Sequence, residues 1–259
     1  MSDSILLRND GGGIRTLTLN RPQSRNALSD ALMRELHGAL SDAAEDKSVR
    51  VIIINASGAV FCAGHDLREM AAKSGLEDYR EVFALCSKMM LAITQNPKPV
   101  IAQVRGMATA AGCQLVAACD IAIADDSARF ATPGVHIGLF CSTPMVALSR
   151  NVGRKTAMKM LLTGDPLTAE QAAAAGLINE VAPADALDDR CQSIAKAIAA
   201  KSMLTLATGK KAFYRQLEMP LEEAYQYAGE VMATNMTAAD AQEGINAFLT
   251  KRPPVWQDK

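Results

Sequence analysis

Apolar and polar positions follow two different periods along the first part of the chain. The segment IRTLTL (14–19) alternates with the two-residue period of a half-buried strand. VRVIIINAS is a short β-branched run that predicts a buried strand, and PVIAQVRG and IAIADDSARF predict two further strands. Residues 76–95 instead repeat their apolar positions at helical spacing, and the prolines of NPKP then end the helix. Ser29 predicts the N-cap of a helix that runs to about residue 46, and another helix is expected near 144–152.

Loops rich in glycine and alanine connect the predicted strands to the helices that follow them. The order strand, loop, helix recurs up to about residue 150. This repetition is typical of an α/β domain, whose functional site lies in the strand-to-helix loops.

The strand pattern stops after about residue 183. The segments DALDDRCQSIAKAIAAKS, LATGKKAFYRQL and LEEAYQYAGEVMATNM, and the stretch AADAQEGINAFLTKR, all have helical spacing. We therefore predict a core of residues 1–183 and a C-terminal helical region of residues 184–259. The apolar faces of these helices exceed what one chain can cover, so we expect contacts between copies of the chain.

Charge and cysteine usage favour a small ligand. The 27 Lys and Arg residues nearly balance the 28 Asp and Glu residues, so we expect neither nucleic acid nor a membrane surface as a partner. The six cysteines form no C-x-x-C pair and match no zinc spacing, which predicts buried reduced thiols and no metal. The N-terminal MSDSILLRND contains no apolar signal segment. We expect a cytoplasmic protein if the source is bacterial, or a mitochondrial matrix protein if a transit peptide has been removed.

Two loops combine small residues with a helix start. They are Cys62-Ala63-Gly64-His65 and Ala110-Ala111-Gly112-Cys113. The first N–H groups of a helix lack intrahelical partners, and small side chains let a ligand carbonyl approach the backbone. Two such N–H donors would stabilise a developing enolate oxyanion. The alternative is that these turns only pack tightly.

Two of the three histidines are candidates for proton transfer. His65 lies in the first loop, and His136 lies in a loop that also holds Cys141. His37 is on a predicted helix and is expected to be a surface or partly packed residue. A nucleophile–histidine–acid triad is not supported for these residues.

At this point the sequence resembles the crotonase, or enoyl-CoA hydratase/isomerase, superfamily over essentially its whole length. The matching segments are LNRPQSRNALSDAL, VIIINASGAVFCAGHDLREM, PKPVIAQVRGMATAAGCQLVAACDIAIADDSARFATP, LLTGDPLTAEQAAAAGLINEVAP and EGINAFLTKRPPVW. The resemblance implies a spiral of ββα units and a C-terminal helical region used in trimerisation, often with two trimers paired into a hexamer. It also implies an acyl-CoA thioester ligand whose carbonyl lies between the N–H groups of His65 and Ala111.

By the same resemblance, four residues are implied to bind the CoA moiety, and no other cofactor is expected. The backbone near Ala27 and Ala63 would lie at the CoA, Ala63 facing the adenine, and Arg25 and Arg68 would contact phosphate groups. For either arginine the alternative is a solvated surface charge.

The departures from the family pattern concern the catalytic acids. Hydratases of this superfamily activate water with two glutamates, and these positions match Gln114 in GCQLVAACD and Gly134 in FATPGVHIG. An amide cannot take up a proton at any useful pH, and glycine offers only backbone. Each positioned acid or base contributes about 10²–10⁴-fold to a rate, so we expect no ordinary two-glutamate hydration. Cys141, His65 and His136 are candidates for an unusual proton donor.

Two branches of the superfamily offer different interpretations. The segments GHDL, ATAAGCQLVA and ATPG followed by GLFCSTP resemble the group called enoyl-CoA hydratase domain-containing protein 3. The AGHD turn is similar to that of methylmalonyl-CoA decarboxylase, which needs no base but has a tyrosine near the position of Cys141.

These similarities leave three hypotheses. The first is an acyl-CoA lyase or isomerase. The second is a non-catalytic acyl-CoA-binding regulator, and the third is a purely structural protein. A distant acid such as Asp66, Glu69 or Glu81 would be needed to replace the lost glutamates.

Overall fold

Two β-sheets organise residues 4–259, the part of the chain that the computed structural model describes. With strands numbered in chain order, the large sheet runs β1 (Leu6–Gly11), β2 (Ile14–Leu19), β3 (Val51–Ala56), β5 (Val100–Val104), β7 (Ile121–Asp125) and β10 (Glu180–Ala182). The small sheet runs β4 (Val60–Cys62), β6 (Met107–Thr109), β8 (Arg129–Ala131) and β9 (Leu167–Thr168). Only the β1–β2 and β8–β9 pairs are antiparallel, and all other neighbours are parallel.

The described part of the chain contains eleven α-helices. They are α1 (Asp30–Glu45), α2 (Leu67–Ala71), α3 (Leu76–Thr94), α4 (Ala111–Ala118), α5 (Pro144–Asn151), α6 (Arg154–Thr163), α7 (Ala169–Ala175), α8 (Leu187–Ala199), α9 (Met203–Gln216), α10 (Leu221–Met236) and α11 (Ala239–Leu249). Ser29 caps α1 as predicted, since its side chain accepts a hydrogen bond from the Leu32 N–H at 3.2 Å.

The repeating unit is strand, strand, helix. β3 and β4 lead to α2, β5 and β6 lead to α4, and β7 and β8 lead to a short 3₁₀ turn followed by α5. Because β4, β6 and β8 are parallel neighbours, their carboxyl ends lie at one edge of the small sheet. The loops after these strands are therefore adjacent, and the predicted α/β spiral of ββα units is confirmed.

Apolar layers lie on both faces of the large sheet. On one face Ile52 and Ile54 belong to a buried cluster with α1, α3 and α4, and on the other Ile53 packs with Leu187 and Cys191 of α8. Every residue of α4 is buried. A helix that is apolar on all sides is held in the interior, which fixes the position of its first turn.

Three parts of the sequence interpretation need correction. IAIADDSARF is two strands rather than one, because the Ala128 N–H donates to the Asp125 carbonyl at 3.1 Å and turns the chain between them. Val60–Cys62 and Met107–Thr109 were expected in loops but form β4 and β6. Strands of three residues are too short to show a periodic pattern.

The chain after β10 contains only helices and turns in the described residues. A buried polar cluster joins α9 to the core: the Lys210 ammonium donates to the carbonyls of Ile93 and Lys98 and to the Asp120 carboxylate, and the Tyr214 hydroxyl also donates to Asp120. Large apolar side chains remain exposed on the outer helices, among them Leu221, Tyr225, Met232, Phe248 and Leu249. No helix within residues 4–259 combines the length and hydropathy needed to span a bilayer.

Candidate active site

The loop after β4 fixes the direction of one backbone N–H group. The Leu28 N–H donates to the Gly64 carbonyl at 2.7 Å, and the Asp66 N–H donates to the Leu28 carbonyl at 3.1 Å. The peptide bond between Gly64 and His65 is trans, so its N–H points opposite to its carbonyl. The His65 N–H therefore faces away from Leu28 and takes no part in this ladder of hydrogen bonds.

The loop after β6 fixes a second N–H group in the same way. The Ala110 carbonyl accepts from the Gln114 N–H at 3.0 Å and so points along α4. The Ala111 N–H then projects from the N-terminus of α4, where no intrahelical acceptor exists. Ala110 has φ 51° and ψ −119°, a conformation that a residue with a Cβ rarely adopts. Backbone strain of this kind concentrates at functional sites.

The two loops are in direct contact, and glycine permits it. A Cβ placed on Gly64 would lie 2.9 Å from the Ala110 Cβ and 3.3 Å from the Ala111 nitrogen. A Cβ placed on Gly112 would lie 2.2 Å from the Cys62 carbonyl oxygen. The structure thus brings together the two loops that the sequence singled out, with the positive end of the α4 dipole behind one of them.

The His65 side chain is mostly buried beside these N–H groups. Its ring meets Phe83 edge to face with the ring centroids 5.5 Å apart, and its Nε2 has no hydrogen-bond partner among the described residues. Burial lowers the pKa of His65 below 6.5. The imidazole is therefore neutral at neutral pH and is a poor proton donor.

The Gln114 side chain is also buried. Its residue is 6% exposed, and its Oε1 lacks a hydrogen-bond partner within the described part of the chain. Gln114 is one helical turn beyond Ala111 on α4. The helix therefore carries an uncharged polar group close to the N–H donor at its own start.

Neighbouring atoms fill the space that a side chain on Gly134 would occupy. Gly134 is buried in the 3₁₀ turn Pro133–Ile137, and a Cβ on it would lie 2.7 Å from the Leu139 carbonyl oxygen and 2.9 Å from the Cys141 sulfur. The Leu139 N–H also donates to the Gly134 carbonyl at 2.9 Å. A larger side chain at 134 would require this loop to move. Burial raises the pKa of the Cys141 thiol, which keeps it protonated at neutral pH.

The other histidines lie in different surroundings. His136 is exposed, and its Nε2 lies 2.8 Å from the Thr163 carbonyl at the C-terminus of α6. His37 is partly exposed on α1 and lines a depression of about 330 Å³ between α1 and α3. Among the three histidines, only His65 belongs to the two contacting loops.

Two of the three carboxylates considered as replacements have other partners. Asp66 caps α2 by accepting from the Arg68 N–H at 3.2 Å, and Glu69 accepts from the Asp30 N–H at 2.8 Å. Glu81 is exposed on α3. None of these contacts is with Gln114 or Gly134.

Among the residues expected to bind CoA, Arg25, Ala27 and Ala63 lie close together. The Ala63 N–H donates to the Arg25 carbonyl at 3.1 Å, and Ala27 is buried nearby in the same loop. The side chains of Arg25 and Arg68 are exposed. Among the described residues, no group of three His, Cys, Asp or Glu side chains is close enough to bind a metal ion.

Asn26 also supports the chain next to the first loop, and the sequence analysis did not identify it. Asn26 is fully buried with φ 52°, and its amide donates to the carbonyls of Ser57 and Val60 and accepts from the Arg21 N–H. Asparagine tolerates the left-handed conformation better than most residues with a Cβ. An asparagine in a loop shortly after Pro22 is therefore the sequence signal that could have identified this residue.

The fold agrees with the comparisons with known proteins. Residues 9–259 match the model of the family described as enoyl-CoA hydratase/isomerase, and the chain belongs to that family. Within it the chain groups with the proteins named enoyl-CoA hydratase domain-containing protein 3. The mitochondrial protein of that name from Rattus norvegicus is 50% identical over 244 residues, 94% of this chain and 81% of the rat protein.

Two solved structures show the same fold at similar identity. The enoyl-CoA hydratase of Mycobacterium smegmatis is 52% identical, with a TM-score of 0.96 over 98% of this chain and 99% of that chain. The human enoyl-CoA hydratase domain-containing protein 3 is 47% identical, with a TM-score of 0.95 over 98% of this chain and 100% of that chain.

Proposed function

We propose that this protein binds acyl-CoA thioesters and stabilises an enolate through the backbone N–H groups of His65 and Ala111. The observation that carries the proposal is the contact between two loops whose peptide carbonyls are both bonded elsewhere, so that both N–H groups are left to a ligand. Oriented backbone donors in a buried site stabilise a developing oxyanion without reorganisation, and losing one such donor typically costs about 10²–10³-fold in rate. Arg25, Ala27, Ala63 and Arg68 would hold the CoA moiety.

The same site does not favour ordinary hydration. Gln114 cannot exchange a proton, and the Leu139 carbonyl and the Cys141 thiol occupy the space of a side chain at Gly134. A lyase or isomerase reaction that needs no general base is better suited. In a decarboxylation the bond to CO₂ breaks, its electron pair becomes the enolate that the two N–H groups stabilise, and the α-carbon then takes a proton from a donor or from water.

The test is turnover of two thioesters by the wild type and by Ala111→Pro, which removes one N–H donor. We expect no loss of enoyl absorbance with crotonyl-CoA, and CO₂ release from a malonyl-type thioester that falls at least 100-fold in the variant. Ala239→Pro is the matched control, since it removes the first N–H of α11 at an exposed position that lies outside the two loops. Full activity in Ala111→Pro would overturn the assignment of the oxyanion hole. Hydration of crotonyl-CoA by the wild type that is lost in Ala111→Pro would show that another acid acts in the site.

A non-catalytic acyl-CoA-binding regulator is the second candidate. Gln114 and Gly134, at the positions matched to the hydratase glutamates, favour this role, because binding needs neither acid. Submillimolar binding across a panel of acyl-CoA thioesters with no product would support this role. Any turnover that disappears in Ala111→Pro would exclude it.

Assembly and location form a further part of the proposal. The exposed apolar side chains of the outer helices support a homotrimer or a dimer of trimers. The relatives named enoyl-CoA hydratase domain-containing protein 3 are called mitochondrial, which supports a mitochondrial matrix location if the source is eukaryotic.

A further inference from the structure

An arginine–aspartate pair lies behind the peptide that carries the His65 N–H. Arg21 Nη2 donates to Asp66 Oδ2 at 3.1 Å, and its Nη1 donates to the Ala27 carbonyl at 2.6 Å. The two side chains are only 20% and 12% exposed. Asp66 follows His65 directly, so this pair ties the loop after β4 to the segment that holds Ala27 and Leu28.

The arginine is itself held in place. Its backbone N–H donates to the buried Asn26 side chain at 2.8 Å, and Asn26 is bonded in turn to the Ser57 and Val60 carbonyls. Asp66 is fixed at three points, namely Arg21, the Leu28 carbonyl and the Arg68 N–H. Rotation of either side chain of the pair would break two side-chain hydrogen bonds.

The pair also balances charge. The Asp66 carboxylate is one residue from an N–H that would face a developing negative charge. An unpaired carboxylate at that distance would oppose the oxyanion, since like charges repel most strongly where water is excluded. The Arg21 guanidinium offsets this repulsion.

We propose that Arg21 and Asp66 are positioning residues for the oxyanion hole. They hold the loop after β4 against Leu28, so that the Gly64–His65 peptide keeps its N–H directed at the thioester carbonyl. This inference rests on the proposed function, and neither residue touches the reacting atoms in it.

The test uses a chromophoric thioester, 4-(dimethylamino)cinnamoyl-CoA, whose absorbance moves to the red when its carbonyl is polarised. We expect a clear red shift on binding to the wild type. In Arg21→Met at least half of that shift should be lost, while the affinity for free CoA stays within about twofold, and Arg21→Lys should recover part of the shift. Asp66→Asn provides an independent variant, because it keeps the acceptor that caps α2 and changes side-chain volume little.

Arg252→Met is the matched control. Arg252 also donates to a carboxylate and to a backbone carbonyl, those of Glu243 and Pro253, but it lies outside the two loops. It should keep the full red shift. A full shift in both Arg21→Met and Asp66→Asn would overturn the positioning role, and so would an equal loss in Arg252→Met. If the wild type binds the probe with no shift, or does not bind it, the proposed function itself fails and the inference fails with it.

Discussion

The absence of a Cβ at Gly134 allows the loop that holds Leu139 and Cys141 to pack closely against it. Its backbone φ does not fall in the left-handed region, so the constraint on it is space rather than conformation. The Leu139 carbonyl and the Cys141 sulfur occupy the volume that a side chain would need. Gly134→Ala should lower the free energy of unfolding by about 1–3 kcal/mol, the usual effect of overpacking, measured by urea denaturation.

Gly209→Ala provides the comparison for that variant. Gly209 is an exposed residue of α9 with nothing near its Cβ position. Alanine there should raise stability by about 0.5–1 kcal/mol, because glycine is a poor residue for a helix interior. An unchanged stability in Gly134→Ala would mean that the loop holding Leu139 yields readily, and the space beside 134 would then be open to a carboxylate.

Helix α9 depends on a buried charge cluster for its attachment. The side chains of Lys210 and Asp120 are 8% and 16% exposed. Burial lowers the pKa of Lys210 and raises the pKa of Tyr214, whose hydroxyl donates to the same carboxylate. Lys210→Met leaves the Asp120 charge without its ammonium partner, and removing one member of a buried pair costs about 3–5 kcal/mol. Chemical denaturation of the variant measures this loss.

The control pair is exposed. Arg150 and Glu218 form an ion pair with side chains 56% and 65% exposed, and it also joins the C-terminal region to the core. Arg150→Met should change stability by less than about 1 kcal/mol, as is typical of surface pairs. Equal losses in the two variants would show that burial of the Lys210 cluster contributes nothing.

The sequence predicts several of the longer elements of this fold and misses β1 and the shortest strands. IRTLTL and the Ser29-capped helix were correct because each is long enough to show its period. β4 and β6 have three residues each, and their pairing with each other depends on contacts far apart in sequence. The carbonyl of Leu139 reaches Gly134 through a turn, which no local pattern reveals. The two glycine loops could be found because their close approach requires small residues.

We expect an oligomer of this protein to bury apolar surface that is exposed on the single chain. Apolar side chains such as Tyr225 and Phe248 are 73% and 82% exposed on one chain. Apolar patches of this kind mark contact surfaces, so we expect a trimer or hexamer in sedimentation experiments. Replacing Tyr225 with glutamate should shift the population toward smaller species, and Glu222→Lys, an exposed charge on the same helix, serves as the control. A monomeric wild type at micromolar concentration would contradict the expectation.

The filled space beside Gly134 also bears on how this chain can change over time. A single substitution to glutamate at 134 would meet an occupied site, and one at Gln114 would supply only half of a pair. Placing carboxylates at both 114 and 134 would therefore need coordinated changes at these positions and in the loop that holds Leu139 and Cys141. Under the proposed function, single substitutions can alter the chemistry around the backbone N–H donors of His65 and Ala111, whereas two-acid chemistry would require several substitutions at once.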